Sequence, residues 1–335
     1  MLYHNVDLTP YNTFGIQCIA TNLYILEELS QLTELSDIVR DYPKILVLGG
    51  GSNVILPEHY DGLVILVKIQ SINLVSGDGD YVIIEALAGC KWDDLVQYAV
   101  NNNYYGIESL SLVPGSVGAA PVQNIGAYGT ELRDVLHSVE YYNFDSNSYH
   151  ILDNKDCQFA YRYSIFKEMS RFIITKVRLK LWRISHVNMN YAEVLAYMKS
   201  HNIITPTLAE IRNAIIVIRN NKLPDPSIIG NVGSFFHNPV IPNIQLELLK
   251  KEYPNLVSYP VDAEYSKIAA GWLIESAGLK GYELDRVAVY HKQALILINR
   301  GDACMNDVLL LVKLIQDRIY NMYQIKLNVE PSLVS

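Results

Sequence analysis

One stretch decides the fold: Val113-Pro114-Gly115-Ser116-Val117-Gly118-Ala119-Ala120-Pro121-Val122-Gln123-Asn124-Ile125-Gly126-Ala127-Tyr128-Gly129. Four Gly, three Ala and two Pro among 17 residues make both a poor helix and a poor strand. The stretch is nevertheless too apolar for a loop in solvent. Small residues allow close approach of the backbone to a bulky ligand, and a buried loop needs partners for its polar groups. A ligand with a diphosphate would supply those partners; the alternative is a buried irregular connection.

A second glycine stretch lies upstream, where Gly49-Gly50-Gly51-Ser52-Asn53 follows the short apolar strand predicted at 45–48. Its spacing is not GxGxxG, and residues 54–57 after it read as a strand instead of a helix, so it fails the test for a Rossmann site. It also lacks the GK[ST] of a P-loop. A tight turn can still present successive N–H groups to an anion, although a plain turn is the commoner reading.

Strand-like and helix-like segments surround these two loops in mixed order, which favours an α+β fold. A capping box at Thr207 and Glu210 predicts the start of one helix, and Pro224 with Pro226 predicts its end and a domain boundary. Apolar periodicity predicts helices at 30–42, 92–99, 208–222, 244–252, 266–277 and 306–322. Strands are predicted at 45–48, 63–67, 82–87, 135–142, 172–182, 294–298 and 325–330.

Composition excludes several classes of function. The 335 residues carry a formal net charge of -8 without a Lys/Arg block, so nucleic acid is not an expected partner. The four Cys and eight His have no metal-ligand spacing, which predicts reduced thiols and no metal site. No signal peptide and no apolar run of membrane-spanning length is visible, so we expect a cytoplasmic protein without membrane insertion.

Both loops, together with further motifs, resemble the MurB-type UDP-N-acetylenolpyruvoylglucosamine reductases, in the subgroup with an extra tyrosine loop. Any one motif is weak, but the match keeps its order from residue 12 to about 330. The other matching motifs are Asn12-Thr13-Phe14-Gly15, Tyr161-Arg162-Tyr163-Ser164-Ile165-Phe166, Lys222-Leu223-Pro224-Asp225-Pro226, Gly233-Ser234-Phe235-Phe236-His237-Asn238-Pro239, Ala269-Ala270-Gly271-Trp272-Leu273-Ile274 and Gln293-Ala294-Leu295-Ile296-Leu297-Ile298-Asn299.

The resemblance implies an FAD-binding half of two subdomains, like that of vanillyl-alcohol oxidase (the PCMH fold), plus a C-terminal α+β substrate-binding domain. The implied boundaries are 1–70 joined by the tail 324–335, then 71–225, and then 226–323. It further implies NADPH-dependent, FAD-mediated reduction of UDP-N-acetylenolpyruvoylglucosamine to UDP-N-acetylmuramate in peptidoglycan precursor synthesis. The expected partners are the UDP-sugar and NADPH, and the expected state is a monomer.

Three residues are the catalytic candidates that the resemblance implies. Arg162 would stabilise negative charge on the substrate carboxylate, because its planar fork matches that group. Ser234 would protonate the carbanion-like carbon, and Glu330 would be a second polarising group. Without the resemblance, they would read as a surface Arg, a turn Ser and an exposed terminal acid. The tail also departs from the family's Leu-x-Pro-Glu, because Pro331 follows Glu330.

The binding candidates follow the same motifs. Those for FAD are Gly49, Gly50, Gly51, Ser52, Asn53, Val113, Pro114, Gly115, Gly118, Ala119, Val122, Gly126 and Arg219. Those for the substrate are Tyr161, Tyr191, Lys222, Asn238, Tyr259 and Gln293, with Lys222, Asn238 and Tyr191 on the diphosphate. His237 is expected to be a bystander. Two other functions stay open: a related FAD-dependent oxidase, and a non-catalytic flavin-binding homologue.

Overall fold

A computed structural model describes residues 1–184 and 191–335, apart from the side chain of Asp78. The chain divides into two compact units, each discontinuous in sequence. The first contains residues 1–6, 20–51 and 61–221, and the second contains residues 7–19, 52–60 and 222–335. The last passage from one unit to the other follows Asn221, directly before the segment 222–226 with its two prolines. The three subdomains inferred from the sequence stay a prediction.

Strands and helices are numbered here in chain order. The strands are β1 (Leu2–Asp7), β2 (Ile19–Leu26), β3 (Ile45–Leu48), β4 (Val54–Ile55), β5 (His59–Val67), β6 (Ile72–Asp78), β7 (Tyr81–Leu87), β8 (Gly126–Ala127), β9 (Thr130–Glu131), β10 (Leu136–Asn143), β11 (Ser148–Asp153), β12 (Phe172–Trp182), β13 (Asn231–Ser234), β14 (Val240–Pro242), β15 (Ser258–Pro260), β16 (Tyr265–Ile268), β17 (Glu283–Leu284), β18 (Val287–Val289), β19 (Ile296–Asn299) and β20 (Ser332–Leu333). The α-helices are α1 (Leu32–Val39), α2 (Trp92–Asn101), α3 (Ala192–Ser200), α4 (Leu208–Lys222), α5 (Asn243–Glu252), α6 (Ala270–Ser276) and α7 (Met305–Tyr323).

The first unit is built on two sheets. One has the order β1-β2-β5-β3, in which β3 and β5 run parallel, and the other has the antiparallel order β11-β10-β12-β7-β6. Strand β12 explains how the sequence forms such a sheet, because its alternate residues Val177, Leu179 and Leu181 are fully buried. They belong to one hydrophobic cluster that also contains Trp92 of α2. The glycine-rich stretch 113–129 contributes Val117, Ala120 and Ile125 to this core.

Helices α3 and α4 share a smaller hydrophobic cluster of their own, which includes Val194, Met198 and Ile215. The predicted capping box at the start of α4 is confirmed. The Glu210 amide donates to the Thr207 hydroxyl at 3.2 Å, and the Thr207 amide donates to the Glu210 carboxylate at 2.8 Å. Both bonds satisfy amides that a helix start leaves without partners.

The second unit contains a four-stranded sheet of order β13-β19-β18-β17 and a three-stranded sheet of order β14-β16-β15. Helix α7 buries one stripe, formed by Val308, Leu311, Val312, Ile315 and Ile319, as the helical spacing predicted. The last strand, β20, pairs in parallel with β4, so the C-terminal tail and the segment after the first glycine loop lie in one small sheet. Antiparallel sheets with helices outside regular alternation confirm the α+β class.

Two sequence predictions were wrong in their bounds. The helix predicted at 266–277 begins only at Ala270, because residues 265–268 form β16 and pair with strands on both sides. Sheet pairing overrides local preference there. The strand predicted at 325–330 is reduced to a single bridge between Val329 and Phe236, and regular pairing resumes only at β20, beyond Pro331.

All four cysteines are free thiols, as predicted, and Cys18 and Cys157 are fully buried. Within the described parts of the chain, no helix combines the length and the apolar character needed to cross a membrane.

Candidate active site

The long glycine-rich loop, residues 113–129, runs antiparallel to residues 88–92 in the first unit. The amide of Val117 donates to the Cys90 carbonyl and the amide of Gly118 to the Ala88 carbonyl, both at 2.9 Å. This approach leaves no room for a side chain at Gly118. A β-carbon built there would lie 2.5 Å from the β-carbon of Ala88, far inside the ordinary contact of about 3.5–4.0 Å.

The first glycine loop, Gly49 to Gly51, packs directly against the long loop. A β-carbon on Gly49 would lie 2.2 Å from the Ser116 hydroxyl oxygen, and one on Gly50 would lie 3.0 Å from the α-carbon of Gly115. The sequence predicted close approach to a ligand for the long loop, and a turn with amides available to an anion for the first. In the structure, the missing side chains also permit close approach between the two loops.

The long loop offers donors for an anion. No hydrogen-bond partner within the described residues is found for the backbone amides of Gly115 and Ser116, and Ser116 is buried. Adjacent amides of this kind form the concavity that holds a phosphate group. The residues at this loop therefore fit the diphosphate of a dinucleotide such as FAD.

Arg162 lies at the centre of a tight turn that is attached to the long loop. Ala160 and Tyr163 close the turn through two mutual backbone hydrogen bonds of 3.1 and 3.2 Å, and Arg162 has a φ of 54°. The guanidinium donates from Nη2 to the Gly126 carbonyl at 3.0 Å and lies 5.3 Å from the ring of Tyr161. The predicted catalytic Arg162 and the predicted substrate contact Tyr161 thus lie beside Gly126.

Two further side chains fix this turn. The Ser164 hydroxyl donates to the Val122 carbonyl at 2.7 Å, and the Asn124 amide group donates to the Ala160 carbonyl at 3.1 Å. Asn124 is fully buried with a φ of 47°, a left-handed conformation that Asn tolerates better than most residues. The motif at 160–164 and the loop at 113–129 therefore form one hydrogen-bonded structure.

The end of the long loop meets α4 through Tyr128. Arg219 of α4 is hydrogen-bonded to the Tyr128 hydroxyl, and the Tyr128 ring lies edge-on to Tyr191 with centroids 4.9 Å apart. Burial lowers the pKa of Arg219, while the nearby Tyr128 and Asp93 oppose that shift; the guanidinium remains charged at neutral pH. Burial raises the pKa of Tyr128, which keeps its hydroxyl protonated. The predicted residues Arg219 and Tyr191 are brought together by Tyr128, which the sequence analysis did not select.

Ser234 and Glu330 lie on adjacent segments of the second unit. Ser234 ends β13 opposite Ile296 of β19, and it is exposed. The amide of Glu330 donates to the carbonyl of Phe235 at 2.9 Å, which places the predicted acid beside the predicted proton donor in the backbone pairing. Gly233 precedes Ser234 with a φ of 73°, and a β-carbon there would meet nothing within 4 Å. Glycine is therefore required at 233 by backbone conformation.

The backbone pairing of the tail tolerates Pro331, because the amides that donate belong to alternate residues on either side of it. Glu330 donates its amide to Phe235, Ser332 donates to the Asn53 carbonyl at 2.9 Å, and Val334 donates to the Ile55 carbonyl at 3.0 Å. Pro331 falls at a position between two donors, where no N–H is used. The predicted cofactor residue Asn53 also donates from its side chain to the Glu330 carbonyl at 3.4 Å. The departure from the family's tail therefore leaves Glu330 in a defined position.

The remaining predicted substrate residues occupy three places in the second unit. The side-chain oxygen of Asn238 accepts the amide of Ala270 at 2.9 Å, and the Gln293 oxygen lies 3.1 Å from where a β-carbon on Gly271 would be. Both side chains are therefore at the first turn of α6. Tyr259 is half-exposed on the edge strand β15, and Lys222 is the last residue of α4.

Comparison with known proteins adds a family to this geometry. A profile described as the C-terminal domain of UDP-N-acetylenolpyruvoylglucosamine reductase matches residues 225–334, and one described as an FAD binding domain matches residues 25–149. UDP-N-acetylenolpyruvoylglucosamine reductase from Dechloromonas aromatica is 42% identical over 332 residues, with 98% of each chain covered. That from Flavobacterium johnsoniae is 39% identical over 333 residues, again with 98% of each covered.

The chain belongs to the UDP-N-acetylenolpyruvoylglucosamine reductase family. The crystal structure of the reductase (MurB) from Thermus caldophilus shares the fold, with a TM-score of 0.70, 24% identity and 98% of each chain covered. Membership confirms the resemblance seen in the motifs, the FAD-binding half with a second substrate-binding part, and FAD as the cofactor. The chain is thus a member of a family of FAD-containing oxidoreductases of peptidoglycan synthesis.

Within the reductase fold, the candidate residues divide between the two units. The first contains Arg162 and the glycines of both loops, and the second contains Ser234, Glu330, Asn238, Tyr259 and Gln293. Tyr128 is the neighbour that sequence reasoning missed, although it lies in the quoted loop. Its signal in the sequence was a large aromatic residue among small ones. In the structure it adopts a left-handed conformation with a φ of 50°.

Proposed function

We propose that this chain reduces the enolpyruvyl ether of UDP-N-acetylenolpyruvoylglucosamine to UDP-N-acetylmuramate with NADPH as the hydride donor. When bound, FAD would accept hydride from NADPH and deliver it to the substrate. The observation that carries the proposal is the backbone pairing of Glu330 with Phe235, because it holds two of the three candidate catalytic residues on adjacent segments. Family membership over nearly the whole chain supports the reaction itself.

FAD would be held by the residues of the two glycine loops, and we assign to it Gly49, Gly50, Gly51, Ser52, Asn53, Val113, Pro114, Gly115, Gly118, Ala119, Val122, Gly126 and Arg219. The fit is supported by the amides of Gly115 and Ser116, which suit a diphosphate. Arg219 adds a cation near the loop's end.

Arg162 would bind the substrate carboxylate. As hydride adds to the terminal carbon, negative charge develops on the neighbouring carbon and on this carboxylate, and a fixed guanidinium stabilises it. The hydrogen bond from Arg162 to the Gly126 carbonyl holds one nitrogen of the fork and limits its rotation. The charge is thus presented in a single orientation.

Ser234 would donate its hydroxyl proton to the carbon that carries the charge. A serine hydroxyl is a weak acid, yet it is sufficient here because an enolate carbon is a strong base. Glu330, on the paired segment, would polarise the same region. Tyr161, Tyr191, Lys222, Asn238, Tyr259 and Gln293 are assigned to the substrate, with Lys222 giving its diphosphate a point charge.

The experiment that tests the reaction separates its two halves. Under anaerobic conditions, NADPH should bleach the flavin absorbance, and the enolpyruvyl sugar nucleotide should then restore it. UDP-N-acetylglucosamine, which lacks the enolpyruvyl group, serves as the control and should restore nothing. Failure of the absorbance to return with the enolpyruvyl compound would refute the proposal, as would equal recovery with the control.

The same proposal includes a monomer in the cytoplasm. It is supported by a substrate and a cofactor that are both small molecules, so that the proposed reaction needs neither a membrane nor a second chain. Sedimentation of the holoenzyme should give the mass of one chain, 37.9 kDa, and cell fractionation should recover the activity away from membranes.

A further inference from the structure

The first turn of α2 supplies hydrogen bonds to the irregular chain that leads into the long glycine loop. Trp92 uses two donors, because its indole N–H bonds to the Leu110 carbonyl at 3.1 Å and its amide bonds to the Gly115 carbonyl at 3.0 Å. Between these points, a carboxylate oxygen of Asp93 accepts the amide of Leu112 at 2.7 Å. Two neighbouring residues therefore hold the loop at three points.

Leu112 is the point of strain among these three. Its φ is 56°, a left-handed conformation that is strained for a residue with a β-carbon. In that conformation the amide of Leu112 donates to the Asp93 carboxylate, and this bond offsets part of the strain. Val113, Pro114 and Gly115 follow directly, so the direction in which they leave depends on Leu112.

Arg212 of α4 holds the Asp93 carboxylate in place. Its two terminal nitrogens donate to the two carboxylate oxygens, each at 2.7 Å, and its Nε donates to the side-chain oxygen of Gln97 at 3.1 Å. Arg212 is 7% exposed, and a bidentate pair of this kind fixes the carboxylate in one rotamer. The same helix carries Arg219, seven residues later.

We infer that Asp93, oriented by Arg212, is a positioning residue for the flavin. Through the amide of Leu112 it sets the backbone at 113–116, which contains the amides of Gly115 and Ser116 that we assign to the diphosphate. This inference rests on the proposed assignment of the loop to FAD. It adds to that assignment a pair of residues that lie outside the glycine-rich motifs and outside the proposed set of cofactor and substrate contacts.

The test compares two double variants that differ only in the acceptor for Leu112. Asp93→Leu with Arg212→Leu removes the ion pair and the acceptor, whereas Asp93→Asn with Arg212→Leu removes the ion pair and keeps an amide oxygen. Replacement of both members of a buried ion pair by apolar residues is often tolerated, and Asn at position 93 keeps a bond to the Leu112 amide, so we expect both proteins to fold. The FAD dissociation constant is measured by serial dilution of each holoenzyme, with the fluorescence of released flavin as the signal.

We expect the variant with Asp93→Leu and Arg212→Leu (the Leu/Leu variant) to bind FAD roughly tenfold more weakly than the unmodified enzyme. A loss of this size corresponds to one hydrogen bond to a charged group. The Asn/Leu variant should stay within about threefold, because a neutral acceptor replaces a charged one. A structural role alone would change the Tm of both variants and give them the same dissociation constant. Equal dissociation constants for the two double variants would overturn the inference.

A matched control and a second pair of variants complete the design. Arg178→Gln breaks another part-buried ion pair of the same unit, the 2.7 Å contact with Glu85, and should change Tm without changing FAD binding. If the Leu/Leu variant does not fold, Asp93→Ala and Asp93→Asn offer a similar comparison, since both remove the negative charge that faces Arg212 and only Asn keeps an acceptor oxygen. Failure of the proposed reaction is distinguishable, because it would abolish flavin reoxidation by substrate and leave these dissociation constants unaffected.

Discussion

Gly118→Ala is the substitution for which the structure gives the clearest magnitude. The added methyl carbon would lie 2.5 Å from the β-carbon of Ala88, 3.1 Å from its α-carbon and 3.2 Å from its carbonyl oxygen. Ordinary carbon contacts are about 3.5–4.0 Å, so the two segments must separate by roughly 1 Å. None of the three atoms can move by side-chain rotation. The backbone must therefore move, and the 2.9 Å hydrogen bond from Gly118 to Ala88 must lengthen.

Overpacking of this kind costs about 1–3 kcal/mol of unfolding free energy, which is a fall in Tm of roughly 2–10 °C for a unit of this size. FAD affinity should fall as well, because the loop moves and with it the backbone amides of Gly115 and Ser116 that we assign to the cofactor. The assay is thermal unfolding of the holoenzyme, followed by serial dilution with flavin fluorescence.

Ala88→Gly supplies the control, because it removes the atom at 2.5 Å. By itself it should cost about 1–2 kcal/mol, from a lost buried methyl and added backbone freedom. The double variant should be no less stable than Gly118→Ala, since the closest contact is gone and only those of 3.1 and 3.2 Å to the backbone remain. If the loss of unfolding free energy in the double variant equals the sum of the losses in the two single variants, this reasoning about the loop is refuted.

Three further predictions concern charge, thiols and the arginine fork. Asp93 is partly buried, which would raise its pKa, but hydrogen bonds from Arg212 and the Leu112 amide outweigh burial and lower the pKa below its usual 3.8. Its ionised form thus stabilises the fold above about pH 4, and that contribution is lost in more acid solution. From pH 5 to about pH 3, the Tm of Asp93→Asn should therefore fall less steeply than that of the unmodified protein. Parallel curves of Tm against pH would contradict this. Burial raises the pKa of Cys18 to about 11 and that of Cys157 to about 12. A thiol reagent at neutral pH should therefore label the more accessible Cys304 first. Rapid labelling of Cys18 would contradict its burial. Arg162→Lys keeps the charge but loses the planar fork of the guanidinium. It should lower the rate of flavin reoxidation by substrate roughly a hundredfold and leave the rate of reduction by NADPH unchanged, with both half-reactions followed by absorbance. An unchanged rate of reoxidation would show that Arg162 has no part in catalysis.

Local signals in the sequence predicted a large part of the fold. The capping box at Thr207 and Glu210, the apolar stripe of α7 and the alternation of β12 depend on neighbours within a few residues, and all three are present. The segment 265–268 could not be predicted in this way. It becomes strand β16 only because β14 and β15 pair with it from either side.

The candidate site shows the same limit. The glycines of the two loops stand out by composition, but their contact with one another joins residues more than 60 positions apart and leaves no periodic pattern. Arg212 and Asp93 are separated by 119 positions, and neither belongs to a recognisable motif. Tyr128 lay within the quoted loop, yet only its contacts with Arg219 and Tyr191 indicate a role.

The central claim is that Ser234 gives the proton that completes substrate reduction, and Ser234→Ala tests it most directly. With this variant, anaerobic NADPH should bleach the flavin at the rate of the unmodified enzyme, whereas the enolpyruvyl sugar nucleotide should restore the absorbance at least a hundredfold more slowly. Ser227→Ala, which alters only a turn with Asp225, should behave as the unmodified enzyme in both halves. Full-speed recovery of the flavin absorbance in Ser234→Ala would contradict the account.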